Sequence, residues 1–177
     1  DGPTHQPVET VASLRAVPNL NVFRPADAIE TAECWQVAME SASTPSAMVL
    51  TRQGLATVRT DHTDENLSAK GGYVLADSEG ERQATILATG SEVEIAMSAR
   101  EALQADGVPT AVVSMPAWNL FDAQDQSYRD AVLGSGVRVA IEAAVQMGWD
   151  KYIGSEGGFI GMSSFGASAP ASELYKH

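Results

Sequence analysis

Asp1 and His5 are side chains of types that bind polyols or carry protons, and they stand four residues apart at the head of the chain. Gly2-Pro3 lies between them. A glycine for unusual φ and a proline for fixed φ form a turn signal that aims two polar groups at one point. Pro7 suits the first position of a helix, where its missing N–H costs nothing. His5 is therefore expected just before a helix N-terminus, in a field that favours oxygen-rich, anionic ligands. Type and spacing leave two readings open: a pair that binds a polyol or passes a proton, and a polar turn whose Asp and His cap the helix. Arg52 is a third candidate, at the carboxyl end of an expected strand. A guanidinium there is a fork for phosphate or carboxylate, or one half of a surface ion pair.

Other polar residues carry weaker signals. Thr89-Gly90-Ser91 joins a strand to a helix and could hold a phosphate. It lacks the P-loop lysine and the spaced glycines of a dinucleotide fingerprint, so a tight turn is the expectation. Glu142 is expected on the rim of its strand, and His62 in a solvated linker. Cys34 has acidic rather than cationic neighbours and reads as core, not as a reactive thiol.

The elements that must position these groups follow from the apolar pattern. Val8, Val11, Ala12 and Leu14 predict a helix through about Ala16. Leu20 to Phe23 predicts a buried strand. Asp27 and Glu30 have capping-box spacing, and Ala28, Ala32, Trp35 and Met39 mark one face of a helix to about Ser41, expected to face the core with Cys34. Ala47 to Leu50 predicts a second strand and completes a βαβ unit with a parallel sheet. Residues 56–70 turn polar and read as a linker. Beyond them, Tyr73–Leu75 and Thr85–Ala88 flank a turn at Asp77–Gly80, which predicts a hairpin and hence one antiparallel edge strand. Ser91 and Glu94 predict a capping box opening a helix to about Ala105, closed by Asp106-Gly107. Strands are expected at Ala111–Val113 and Val137–Ile141, with a helix from Gln124 to Leu133. Residues 154–170 read as a long irregular segment.

The expected class is therefore α/β. A three-layer α/β/α domain with a mostly parallel sheet and one antiparallel edge strand occupies 71–177. A partial α/β domain at 1–55 and a linker at 56–70 precede it. Length and an apolar share of 44% allow a sizeable core. The formal charge of −12 argues against nucleic acid and anionic membrane surfaces as partners, since both call for a basic face. One cysteine makes no internal disulfide and fits a reducing compartment. No run is long and apolar enough to span a bilayer. Both ends read as cut, so a longer protein is expected.

The opening turn also carries a resemblance. Asp1-Gly2-Pro3-Thr4-His5-Gln6-Pro7-Val8-Glu9 resembles the signature turn of transketolases. Similar blocks follow in order: Leu14-Arg15, Pro18-Asn19, Arg24-Pro25-Ala26-Asp27, Arg52-Gln53, Gly71-Gly72-Tyr73-Val74, Ala88 to Val93, Val113 to Pro116, and Phe165 to Pro170. Deoxyxylulose-phosphate synthases and the β chains of 2-oxo-acid dehydrogenases share the Thr-His-Gln turn without its continuation. Dihydroxyacetone synthase shares the turn and is the nearer rival.

The resemblance implies the end of a pyrimidine-binding domain followed by most of a C-terminal domain. It implies a reaction that moves a two-carbon ketol unit between sugar phosphates, in the pentose phosphate pathway of the cytoplasm. The full enzyme would use thiamine diphosphate and a divalent metal, Mg or Ca, and form its active site at a homodimer interface. By motif match, Asp1 would bind the hydroxyl beside the reacting carbon. His5 would act catalytically, holding the donor's carbonyl or terminal hydroxyl, and Arg52 would hold the sugar phosphate. The ligands of the metal and diphosphate would lie outside this chain, so the 177 residues alone are expected to be inactive and to bind neither. The competing reading is a small-molecule-binding or regulatory α/β module with a docking arm. A common cleft for the turn and Arg52 would separate the two.

Overall fold

The computed structural model describes residues 5–175 of the chain. Two sheets carry it. The first is a parallel pair, β1 (Asn21–Phe23) and β2 (Ser46–Met48), joined through helix α2 (Ala28–Glu40). This is the expected βαβ unit. Helix α1 (Thr10–Arg15) precedes it.

The second sheet has five strands: β3 (Tyr73–Ala76), β4 (Ala84–Ala88), β5 (Thr110–Ser114), β6 (Val137–Ile141) and β7 (Gly158–Ile160), in the order β3-β5-β4-β6-β7. All neighbours run parallel except β3 and β5. The antiparallel edge strand is present, but not as a hairpin. β5 lies between β3 and β4, so the Asp77–Gly80 turn connects strands that do not pair. The apolar pattern sees which segments are strands; it is blind to a later strand inserting between two early ones.

Strand alternation explains the layers. Ile86, Ala88 and Val112 pack with Val93 and Ala96 of α3 (Glu92–Ala105) on one face. Leu87, Val113 and Ala140 face the other way. They meet Trp118 and Phe121 of α4 (Trp118–Asp122), Val132 and Leu133 of α5 (Gln126–Leu133), and Tyr152 and Ile153 of α6 (Asp150–Ile153). The result is a three-layer α/β/α arrangement. Trp118 stands at the centre of the second face, edge-on to Trp149 and Tyr152 at ring-centroid distances of 4.6 and 5.1 Å. Strand β7 interrupts the stretch that reads as irregular, helix α4 fills the gap between two expected elements, and α7 (Ala171–Leu174) closes the described chain.

Two further expectations change. Ser91 does not form a capping box with Glu94. It already has helical φ and ψ, and its hydroxyl donates to Glu92 instead. Helix α2 turns the Ala28–Ala32–Trp35–Met39 stripe outward, leaving Trp35 50% and Met39 79% exposed. Its buried side is built from Glu30 and Cys34, with Val37 and Ala38. Asp27 does cap the helix, accepting from the Glu30 N–H at 2.9 Å.

Glu30 explains the inverted helix face. Tyr73 and Ser114 are opposed residues of the β3–β5 register, so their side chains lie on one face. Both hydroxyls donate to Glu30 Oε1, at 2.7 and 2.5 Å. The Ala26 N–H donates to Oε2 at 2.7 Å. Arg59, in the supposed linker, is buried beside Tyr73 and pairs with Glu33. The polar stretch is thus partly an internal strut, and the carboxylate pulls α2 against the edge of the large sheet.

Burial pushes the Glu30 carboxyl above the ordinary range, against hydrogen bonds from Ser114, Ala26 and Tyr73 that lower it. A carboxyl raised on folding binds its proton more tightly in the folded state, so stability falls as pH rises from the unfolded value through the folded one. Glu30→Gln, isosteric and neutral, is expected to flatten that fall. Urea unfolding between pH 4 and 9 checks it; an unchanged slope would contradict the assignment.

Candidate functional site

The carboxyl ends of both sheets point to one place. Arg24 and Pro25 follow β1, Val49 to Gln53 follow β2, Gly90 to Glu92 follow β4, and Ala143 follows β6. Together with His5, Gln6, Ala169, Leu174 and Tyr175 they line a cleft of about 650 Å³. Ligands of open α/β sheets collect at such strand ends. His5 and Arg52 therefore share a cleft. Asp1 lies outside the described residues. His62 stands far out in solvent, next to Asp64.

His5 does not sit directly before a helix. α1 begins at Thr10, with Glu9 in the cap position and Pro7 outside it. The Val8 carbonyl is taken by the Val145 N–H at 3.1 Å, which draws the arm across the large domain before the helix can start. The start of α1 is therefore not the helix terminus that His5 was expected to adjoin.

Behind the cleft lies a charge cluster that sequence reading missed. Arg24 Nη1 meets Glu92 Oε2 at 2.6 Å and Glu142 Oε1 at 3.8 Å. Arg15 forks both oxygens of Glu142 at 2.8 Å each, and the Trp149 indole N–H donates to Glu142 at 2.8 Å. The Arg15 guanidinium also stacks 3.6 Å over Trp118. Glu142 is therefore fully buried rather than on a rim. Glu92 Oε2 accepts from the Ala143 N–H at 3.0 Å. Glu92 Oε1 accepts from Ser91 Oγ at 2.6 Å and from the Tyr175 hydroxyl at 2.8 Å. Burial alone would raise the Glu92 carboxyl, but Arg24, the Ala143 N–H and the Ser91 hydroxyl hold it below the ordinary range. Burial pulls Arg24 down, and Glu92 and Glu142 more than offset that.

The Thr89-Gly90-Ser91 turn is filled by Arg24. The Gly90 N–H and the Thr89 hydroxyl both donate to the Arg24 carbonyl at 3.0 Å, and the guanidinium donates back to the Thr89 carbonyl. Gly90 has φ of +60°, and a Cβ there would lie 2.7 Å from Arg24 Cζ. The turn is a seat for an arginine of the other sheet, not for a phosphate. Neither Arg24 nor Glu92 had a spacing signal. The available clue was a lone charge at each of two strand ends.

The family model described as the transketolase-like C-terminal domain matches residues 71–177. The model described as the transketolase pyrimidine-binding domain matches residues 1–57. A transketolase of Cereibacter sphaeroides is 59% identical over 177 residues, covering all of this chain and 27% of the relative. The solved transketolase of Leishmania mexicana superposes with a TM-score of 0.90 at 46% identity, covering 99% of this chain and 25% of the other. A Pichia stipitis transketolase, in complex with sedoheptulose 7-phosphate by its description, gives 0.90 at 40% identity with the same coverage. The chain thus spans about a quarter of the length of the relatives it matches.

Two outcomes follow from the cluster. Gly90→Ala is expected to destabilise by about 2 kcal/mol, because a left-handed φ and a displaced guanidinium both resist the methyl. Urea unfolding measures it. Glu92→Gln leaves Arg24 without its ionic partner and is expected to cost about 3 kcal/mol at neutral pH. The carboxylate's contribution is complete above the unfolded Glu value and is lost as pH falls through the depressed folded one. The variant's acid limb should therefore be less steep than that of the unsubstituted chain.

Proposed function

The chain belongs to the transketolase family, and from that premise we propose that it forms the sugar-phosphate side of the active site of a longer ketol-transferring enzyme. The enzyme would move a two-carbon ketol unit from a ketose phosphate to an aldose phosphate. Residues 1–55 would complete a pyrimidine-binding domain, 56–70 would link, and 71–177 would be the C-terminal domain. The working unit would be a homodimer in the cytoplasm.

The observation that carries the reading is the common cleft of His5 and Arg52 at the strand ends. A binding module with a mere docking arm gives no reason for an imidazole and a guanidinium from separate segments to line one cavity. The cleft volume also suits a phosphorylated sugar.

Thiamine diphosphate would supply the carbanion that carries the two-carbon unit. Among the described residues no group of three or more His, Cys, Asp or Glu comes together that could hold a metal ion. The chain's own share is binding and orientation. Arg52 would fork the sugar phosphate and fix the far end of the substrate. His5 would hydrogen-bond the donor carbonyl or terminal hydroxyl and hold a proton there. Asp1 would bind the hydroxyl next to the reacting carbon. Fixing both ends of a flexible sugar supplies much of the rate advantage of an intramolecular reaction.

The test replaces the matching segment of the Cereibacter sphaeroides relative with these 177 residues. The product is assayed with xylulose 5-phosphate, ribose 5-phosphate, thiamine diphosphate and magnesium. Activity is expected in the chimera and absent from the 177 residues alone. His5→Ala should lower kcat/KM by about 10²-fold. Arg52→Ala should raise KM for phosphorylated sugars by roughly tenfold, with little change for unphosphorylated donors. A folded chimera indifferent to both substitutions would sink the reading.

A further inference from the structure

The cleft places a buried carboxylate on the same wall system as the arginine read as its phosphate holder. Glu92 is 1% exposed yet lines the cleft together with Arg52. A phosphate dianion entering the cleft would be repelled by an uncovered carboxylate on its wall. Something has to answer the Glu92 oxygens on the cleft side.

The two oxygens are treated differently. Oε2 is turned inward, to Arg24 and the Ala143 N–H. Oε1 receives two hydroxyls, Ser91 Oγ and Tyr175 OH. Tyr175 itself lines the cleft. It is brought there by the segment after β7, where Gly166 packs so closely on Gln6 that an added Cβ would lie 3.0 Å from Gln6 Oε1. Burial and the neighbouring Glu92 raise the phenol, so it remains a donor at neutral pH. Gln53, the residue after Arg52, lines the same cleft. The phenol hydroxyl thus lies against the acidic wall, in the cavity that the Arg52 loop also lines.

We infer that Tyr175 is a positioning residue for anionic substrates: its hydroxyl covers Glu92 Oε1, so that a phosphorylated sugar at Arg52 meets a hydroxyl instead of a bare carboxylate. The inference rests on the reading of Arg52 as the phosphate holder. It assigns to the last turn of the described chain a role in choosing phosphorylated over neutral sugars. The selectivity would come from lowering repulsion, with no new positive charge.

The test titrates fructose 6-phosphate and, separately, unphosphorylated fructose into the chimera described above, with binding read by calorimetry. Three chains are compared: unsubstituted, Tyr175→Phe and Arg52→Ala. Phe keeps the ring, and the circular dichroism spectrum reports that the fold is kept. Tyr175→Phe is expected to weaken fructose 6-phosphate by roughly threefold to tenfold and to leave fructose unchanged. The deficit should shrink as salt rises from about 0.02 M to 0.5 M, because exposed charges are screened over a shorter distance. Equal weakening of both sugars, or a deficit indifferent to salt, would mean a merely structural role and would overturn the inference. So would an unchanged affinity in Tyr175→Phe while Arg52→Ala loses binding, and in that case the reading of Arg52 stands. If Arg52→Ala binds fructose 6-phosphate as well as the unsubstituted chain, or neither binds it, the reading of the cleft falls and this inference with it.

Discussion

Everything near the cleft depends on ionic groups buried where the two sheets meet. Arg15 comes from α1 and Arg24 from the small βαβ unit that follows it; Glu92 opens α3 and Glu142 follows β6 on the side of the large sheet. Removing such charges from water costs several kcal/mol each unless their partners are in place. No relative placement of the two units that separates these pairs is tolerable, so the docking has one register. The cluster is better seen as a device for specificity of docking than as a source of net stability, since an apolar contact of similar volume would stabilise as well. What it adds is direction. Both sets of strand ends converge on one cavity because Arg24 is seated in the β4–α3 turn.

A further buried carboxylate joins the same two units on different terms. Among the described residues Glu30 receives two hydroxyls and one backbone N–H and no cation in direct contact, and burial raises its proton affinity. Glu92 has Arg24 against it and is held ionised. Identical side chains thus respond to pH in opposite directions within one interface. The physical difference is one guanidinium at 2.6 Å. Between the two carboxyls, the interface weakens on both sides of the unfolded Glu value: Glu92 gives way as pH falls below it and Glu30 as pH rises above it.

How legible this was depends on the range of the interaction. Local signals read well: the Asp27 cap, the closure of α3 at Asp106-Gly107, and β6 residue for residue. Each depends on neighbours within a few positions of the chain. Failures came where distant partners decide. Trp35 and Met39 have the period of a core face, yet Glu30 owns the buried side because Tyr73 and Ser114 reach it from another domain. The Tyr73–Leu75 and Thr85–Ala88 pair looked like a hairpin, because nothing local reveals that β5 intervenes. Arg59 looked like linker because its partners, Glu33 and Tyr73, lie 26 and 14 residues away.

The candidate site shows the same division. His5 and Arg52 were legible as types at turn and strand-end positions, and both reach the cleft. Arg24, Glu92 and Glu142 were not, because a charge pair spanning two domains has no spacing in sequence. A rule can still be extracted. A buried arginine at a strand's carboxyl end must find an acid across the sheet ends, since its charge is out of water. Arg24 follows β1 directly, and Glu92 and Glu142 stand close after β4 and β6. Strand-end charges of opposite sign in two α/β units are therefore a signal for how the units dock. The cleft between them is then a consequence of that docking, with its polarity fixed before any substrate-binding residue is considered.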